Sequence, residues 1–392
     1  MQKIAADFIK DLTIYISPGI QNQKIKELVN QVDISFNEII SLDKNYIQNN
    51  SINQKINQIL KDIDKIFNIL MLNSKSDEKF IFFLEELNLR VKKEVNILKN
   101  FFITKNTNSS DTNIKFDNKY LFGNLSSNSL NEINNIVEYY KKYLNKQISK
   151  GLVDRKSLTI THGKKIRKII EILNNEFSKK GILGMVTNYI NKDYVVTGCS
   201  IEMSVPTSKW WKSTYNNSSP DLWYTHVDQS FITPKSIIYL SDVDETNGPT
   251  SFFPGAIEDM KINFLQNLIG RCVTKIGNKK SSKLFGHYKT DTDKKFNSAK
   301  LISHFNKLPD YLKFEAHIGW YIKKNSNFEE YLKNKEIKFI GKKGSFVVFD
   351  GAQIFHRGGL IEKDKRIVLQ VTFGEKISFI KKIYNKIYRY YS

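Results

Sequence analysis

A chain of 392 residues, 40% of them hydrophobic, can hold two or three domains, or one large domain with an extension, around a sizeable core. Its 61 Lys+Arg against 40 Asp+Glu give a net charge of +21, which would suit nucleic acid, an anionic membrane or an acidic substrate. Lys, Asn, Ile, Tyr and Phe are over-used together along the whole chain, however, and no arginine cluster or aromatic-plus-basic ladder occurs. The charge therefore reads as compositional, and no specific nucleic-acid partner is expected.

Two cysteines, Cys199 and Cys272, are too few for a disulfide framework and not spaced as a metal knuckle, which fits a reducing cytoplasm. Asp7, Lys10 and Asp11 interrupt the N-terminus where a signal peptide needs an apolar core, and no apolar run approaches the ~18 residues of a membrane span. The expectation is a cytoplasmic protein, at most peripheral at a membrane.

Residues 1–103 are patterned as helix. Ile52, Ile56, Ile59, Ile63, Ile66 and Leu70 recur at three- and four-residue steps, as do Phe80, Phe83, Leu84, Leu87, Val91, Val95 and Leu98. The two stripes predict a helical hairpin or coiled-coil extension that packs on the next domain or self-associates with a second copy. The polar stretch 104–115 reads as a linker. Ser129, three residues before Glu132, predicts a capping box at the start of a helix, and another helix is expected over about 163–179, ending before Gly181.

The period then changes to two. "YVVTGCSIEMSV", "LWYTHVD", "KSIIYLSDV", "TSFFPG", "IKFIG", "GSFVVFD", "AQIFHRG" and "RIVLQVTF" are short β-branched or aromatic runs bounded by Gly, Pro, Asn and Asp. Eight such strands without alternating helices predict an α+β fold over 116–375, with a double-stranded β-helix core of the jelly-roll, cupin-like kind. A helical insert, about 256–335, separates the fourth and fifth strands and is expected to cover the barrel mouth.

His226 and Asp228 flank one valine in the second strand, so both side chains can project from the same face. His356 lies on the seventh strand, which neighbours the second in a jelly roll. Two histidines and one carboxylate on one face of an octahedron form the ligand set of non-haem Fe(II) oxygenases. Open positions on such an iron call for a co-substrate. For a dicarboxylate such as 2-oxoglutarate, Arg366 at the start of the eighth strand offers a bidentate fork on the same face as Val368, Gln370 and Thr372.

The segment from about Tyr194 to Gly374 resembles the phytanoyl-CoA dioxygenase family of Fe(II)/2-oxoglutarate oxygenases through "HVD", "IIYLSDVDETNGPTSFFPG", "GSFVVFDGAQIFHRGG" and "RIVLQVTFG". The resemblance implies iron ligands at His226, Asp228 and His356, a 2-oxoglutarate clamp at Arg366, and a turn of Asn247, Gly248 and Pro249 bordering the cofactor. It also implies that O₂ and 2-oxoglutarate are consumed, that succinate and CO₂ are released, and that a small or carrier-linked substrate is hydroxylated. The chain departs from the family at "PGAIE", where relatives have "PGSH", and at Val368, where many have Ser. The hydroxyl beside the far carboxylate would then come from Tyr239 or Thr250. Halogenating relatives lack the aspartate, and the presence of Asp228 favours hydroxylation.

Substrate residues are expected just before the His-x-Asp pair, where Trp210, Trp211, Trp223 and Tyr224 are candidate pocket walls and Lys209 and Lys212 could attract an anionic group. His287, His304 and His317 match no compact ligand motif, so no second metal is expected. The segment 376–392 reads as a basic amphipathic helix that either closes the base of the domain or rests on an anionic membrane. Two alternatives stand beside the oxygenase: a catalytically inactive metal-binding sensor or binding module, and a basic membrane- or nucleic-acid-associated protein.

Overall fold

The computed structural model describes residues 8, 11, 12, 19–41, 49–103, 116, 118–153, 157–190, 192–206, 222, 224–228, 232–273 and 304–376. The chain divides into two compact units. One comprises Met1–Thr104, Glu258–Ala316 and Arg389–Ser392; the other comprises Lys105–Ile257 and His317–Tyr388.

The first unit holds the helices Gln23–Ser41, Asn49–Leu72, Glu78–Ile103 and Phe264–Val273. The stripe from Ile52 to Leu70 is at most 2% exposed, and each such side chain contributes about 1.5–3 kcal/mol of burial. Nearly every residue of Phe264–Val273 is buried. Phe264 stacks on Phe36 at 3.6 Å and its N–H donates to Asp33 at 2.8 Å. A Cβ on Gly270 would stand 2.4 Å from the Phe314 carbonyl oxygen, so only glycine permits that approach. The long insert is therefore not one piece. Residues 258–316 group with the N-terminal helices, and the rest of it, including helix Asn327–Lys335, belongs with the sheets.

The second unit contains two antiparallel sheets. β1 (Tyr120–Asn124), β2 (Thr159–Ile160), β3 (Tyr194–Ser204), β4 (Pro234–Tyr239), β7 (Ser345–Asp350) and β9 (Arg366–Glu375) form one, in the order β1-β7-β4-β9-β3-β2. β5 (Thr250–Phe253), β6 (Ile337–Phe339) and β8 (Phe355–Gly358) form the other, in the order β6-β5-β8. Between them lies a core that includes Ile237, Tyr239, Phe252, Phe339, Val347, Phe349 and Val368. Tyr239 stacks on Phe339 at 4.4 Å, and Phe252 meets Phe349 edge-on at 4.8 Å. β1 and β2 are not among the strands expected from the sequence; β2, at two residues, is too short to show a period of two.

Two expectations are corrected. The "LWYTHVD" run is not a strand. Tyr224 adopts a positive φ of 69°, and the Thr225 N–H and hydroxyl both donate to the Leu222 carbonyl, which makes a turn of 222–225. Gly319 presses on the outside of that turn, where a Cβ would lie 2.4 Å from the Leu222 oxygen. The capping box also fails: helix Ser127–Ser149 begins earlier, with Ser126 as its N-cap. The acid that completes the cap is distant in sequence. The buried Glu176 carboxylate of helix Lys164–Lys179 accepts from the Ser126 N–H at 2.6 Å and from the Ser126 and Ser129 hydroxyls, each at 2.8 Å.

Burial would raise the Glu176 carboxyl, but hydrogen bonds from Ser126 and Ser129 hold it below its ordinary value. A depressed carboxyl stabilises the fold above its unfolded pKa of about 4.3, and that contribution is lost as the pH falls through the folded value. Glu176→Ala leaves those donors without their acceptor and should cost about 2–3 kcal/mol at neutral pH. In denaturant titrations, the gap between wild type and variant should narrow steadily below about pH 4.

Candidate metal centre

The centre is built on one pair of backbone hydrogen bonds. The His226 N–H donates to the His356 carbonyl and the His356 N–H to the His226 carbonyl, both at 3.0 Å, in an isolated antiparallel bridge. This sets the two rings side by side, with centroids 4.3 Å apart. Asp228 follows in extended chain, and its N–H donates to the Gly351 carbonyl at 2.7 Å. That carbonyl belongs to a turn held by the fully buried Asp350, whose carboxylate accepts from the N–H groups of Thr233 and Ala352 and from the Tyr189 hydroxyl.

One donor atom each from His226, Asp228 and His356 lies within 4.8 Å of the other two. Both histidine Nε2 atoms stand 3.9 Å from Asp228 Oδ1. The tautomers follow from the other ring nitrogens. His226 Nδ1 lies 2.7 Å from the Tyr224 carbonyl and His356 Nδ1 lies 3.1 Å from the Ile354 carbonyl. A carbonyl only accepts, so each Nδ1 carries the proton and each Nε2 presents its lone pair toward Asp228. Metal-binding imidazoles are oriented in this way by their outer partners.

The charge states suit a cation as well. Burial draws the His356 imidazole down to about 3, with the Lys235 ammonium adding to the effect. Burial and the neighbouring His356 and His317 take His226 well below its ordinary value. Burial alone would raise the Asp228 carboxyl, but Lys235 and then the two histidines hold it below the usual carboxylate range. Two neutral imidazoles and one carboxylate, the donor set of a divalent first-row metal, are thus ready at neutral pH. The side chains of His226 and Asp228 keep 14% and 21% exposure, which leaves the centre reachable from one side.

Arg366 begins β9, and its Nη1 donates to the Gly248 carbonyl. Its Nε is buried without a hydrogen-bond partner among the described residues. Its Nη2 sits 3.7 Å from the place a Cβ on Gly358 would occupy, two residues beyond His356 on β8. Two residues of strand span about 6–7 Å, so the guanidinium lies roughly that far along the strand from the histidine. Tyr239 and Thr250 are beside each other nearby. The Tyr239 hydroxyl donates to the Phe339 carbonyl at 2.6 Å and accepts the Thr250 N–H at 3.1 Å. Its single proton is directed at the Phe339 carbonyl.

Tyr224 places its ring edge-on to His226 at 5.2 Å, while Trp210, Trp211, Trp223, Lys209 and Lys212 lie outside the described residues. Two further residues escaped the sequence reading. His317, from the insert, stacks flat on His226 with centroids 4.9 Å apart and planes 4° apart; nothing local in its sequence marks it. Lys235 on β4 contacts Asp228 Oδ2 at 2.7 Å and His356 Nε2 at 2.9 Å. A signal existed for Lys235. It shares the period-two face of Ile237 and Tyr239, which are 7% and 0% exposed, so a lysine in that register must reach inward.

No family model matches the chain, and no curated protein matches it. Solved structures similar to it include AviO1 from Streptomyces viridochromogenes Tue57, at 10% identity over 67% of this chain and 93% of that one, with a TM-score of 0.34. EctD from S. alaskensis, with 2-oxoglutarate and 5-hydroxyectoine, matches at 9% identity over 70% and 81%, with a TM-score of 0.36. The epimerase SnoN, in complex with Fe3+, alpha ketoglutarate and nogalamycin RO, matches at 10% identity over 67% and 81%, with a TM-score of 0.35. These likenesses are loose, and function rests on the geometry of the centre.

A Cβ on Gly351 would fall 1.9 Å from Asp228 Oδ2. Gly351→Ala should therefore displace the carboxylate while leaving the sheets intact. Calorimetric titration with Co(II) is expected to show at least tenfold weaker binding with an unchanged far-ultraviolet circular dichroism spectrum.

Proposed function

We propose that this chain is an Fe(II)- and 2-oxoglutarate-dependent oxygenase that hydroxylates a small or carrier-linked metabolite, with motifs nearest those of the phytanoyl-CoA dioxygenases. The observation that carries the reading is the convergence of the His226, Asp228 and His356 donors with the Arg366 guanidinium about one strand repeat away. The strand pairings support it. Numbered as the eight expected segments, they run 1-8-3-6 in one sheet and 2-7-4-5 in the other, with the His226 bridge standing for segment two. That is the order in which a double-stranded β-helix folds back on itself.

Each part of the centre has a task within this reading. His226, Asp228 and His356 would hold the iron, whose chemistry when bound is the activation of O₂ for attack on an unactivated C–H bond. The Nδ1 hydrogen bonds to the Tyr224 and Ile354 carbonyls set the tautomer and orientation of each ring. Arg366 offers its fork to the far carboxylate of 2-oxoglutarate, and its buried Nε gives that anion a strong attraction in a poorly hydrated site. Arg366 is the principal anchor in this reading, with the Thr250 hydroxyl as the second candidate donor. Phe349, edge-on to His356 at 5.0 Å, and Tyr224, edge-on to His226 at 5.2 Å, line the centre with aromatic surface.

Anaerobic addition of Fe(II) and 2-oxoglutarate to the full chain should produce a weak visible charge-transfer band. The band should vanish in His226→Ala, and Arg366→Ala should need at least tenfold more 2-oxoglutarate to reach it. Absence of a band in wild type, or an undiminished band in His226→Ala, would remove this reading.

A further inference from the structure

The lone pair of His356 Nε2 has two claimants. Because Nδ1 carries the proton that bonds the Ile354 carbonyl, Nε2 has a single lone pair, and the Lys235 ammonium donates to it at 2.9 Å. A metal bound by His356 needs the same lone pair. The two states exclude each other at that atom.

We propose that Lys235 is a built-in counter-cation that holds the ligand set together without metal and must be displaced from His356 for metal to bind. This rests on the reading of His226, Asp228 and His356 as a metal centre. Three observations carry it. The ammonium bridges two of the three ligands, at 2.7 Å from Asp228 and 2.9 Å from His356. The side chain is seated beside the ligands, with its Nζ over the Phe349 ring at 5.1 Å and its Cε in the space left by the missing Cβ of Gly351. The donors are also spread. Asp228 Oδ1 is 3.9 Å from each Nε2, whereas bonds of about 2.1 Å at right angles set neighbouring donors about 3 Å apart.

The division of labour on Asp228 follows. Lys235 takes Oδ2, while Oδ1 faces both histidines. If His356 held a metal, Lys235 would give up its hydrogen bond to Nε2 but could keep its ion pair with Asp228 Oδ2. Without metal, the ammonium neutralises a carboxylate that would otherwise be buried next to two neutral rings. With metal, a single positive charge a few ångströms from a divalent ion opposes binding, so the lysine lowers the affinity of the centre.

The test is Co(II) binding to the full chain, measured by calorimetry under one buffer condition. It compares wild type, Lys235→Met, Lys235→Gln and His226→Ala, alongside thermal unfolding of each with and without metal. Lys235→Gln keeps a hydrogen-bond donor without charge and serves if the methionine variant does not fold. The expected result is at least tenfold tighter Co(II) binding in the Lys235 variants. Their melting temperature should fall below wild type without metal, and the deficit should close or reverse with metal. Binding seen only in the Lys235 variants would support the inference in its strongest form. Unchanged or weaker binding in those variants, with binding still lost in His226→Ala, would overturn the inference and leave the metal centre standing. No binding in any protein would overturn the metal centre and the inference with it.

Discussion

The two reciprocal hydrogen bonds between His226 and His356 are the constraint on which the rest of the centre depends. They join points 130 residues apart in the chain and fix the relative positions of two rings. Once those rings are side by side, the i+2 step to Asp228 and the strand step toward Arg366 place the remaining charged groups. A backbone bridge is a sound device for this purpose. It defines positions to tenths of an ångström and does not consume the side-chain atoms that must do chemistry.

A second layer of main-chain contacts refines the first. The carbonyls of Tyr224 and Ile354, each two residues before a histidine, accept a hydrogen bond from its Nδ1–H. Asp350 fastens the turn whose glycine backs Asp228, and the missing Cβ of Gly351 makes room for the carboxylate. The positive φ of Tyr224 lies two residues before His226, in the stretch that leads into the bridge. Burial then keeps both rings neutral, so the centre is electrostatically set for a cation. Lys235 supplies one from within the chain.

Those parts that depend on short-range periodicity were legible in the sequence. The stripes at Ile52–Leu70 and Phe80–Leu98 announced their buried faces, and the β-branched runs announced β3, β4, β5, β6, β7, β8 and β9. His226, Asp228 and His356 could be grouped as candidate donors because the fold class that the strands suggested makes two of them neighbours. What stayed hidden depends on contacts remote in sequence. The cap acid Glu176 lies 50 residues from Ser126, the insert divides between two units, and His317 reaches His226 from a segment without regular periodicity. Lys235 is different, because its register with Ile237 and Tyr239 was readable. Only the position of the ligands gives that register a meaning.

X-ray absorption at the iron edge of the anaerobically loaded full chain reads the donors of the His226, Asp228 and His356 centre directly. Scattering from two imidazoles at about 2.1 Å together with oxygen donors is expected, and that protein-bound signal should be lost in His226→Ala and in His356→Ala. A spectrum without imidazole scattering, or one that neither substitution changes, would contradict that expectation.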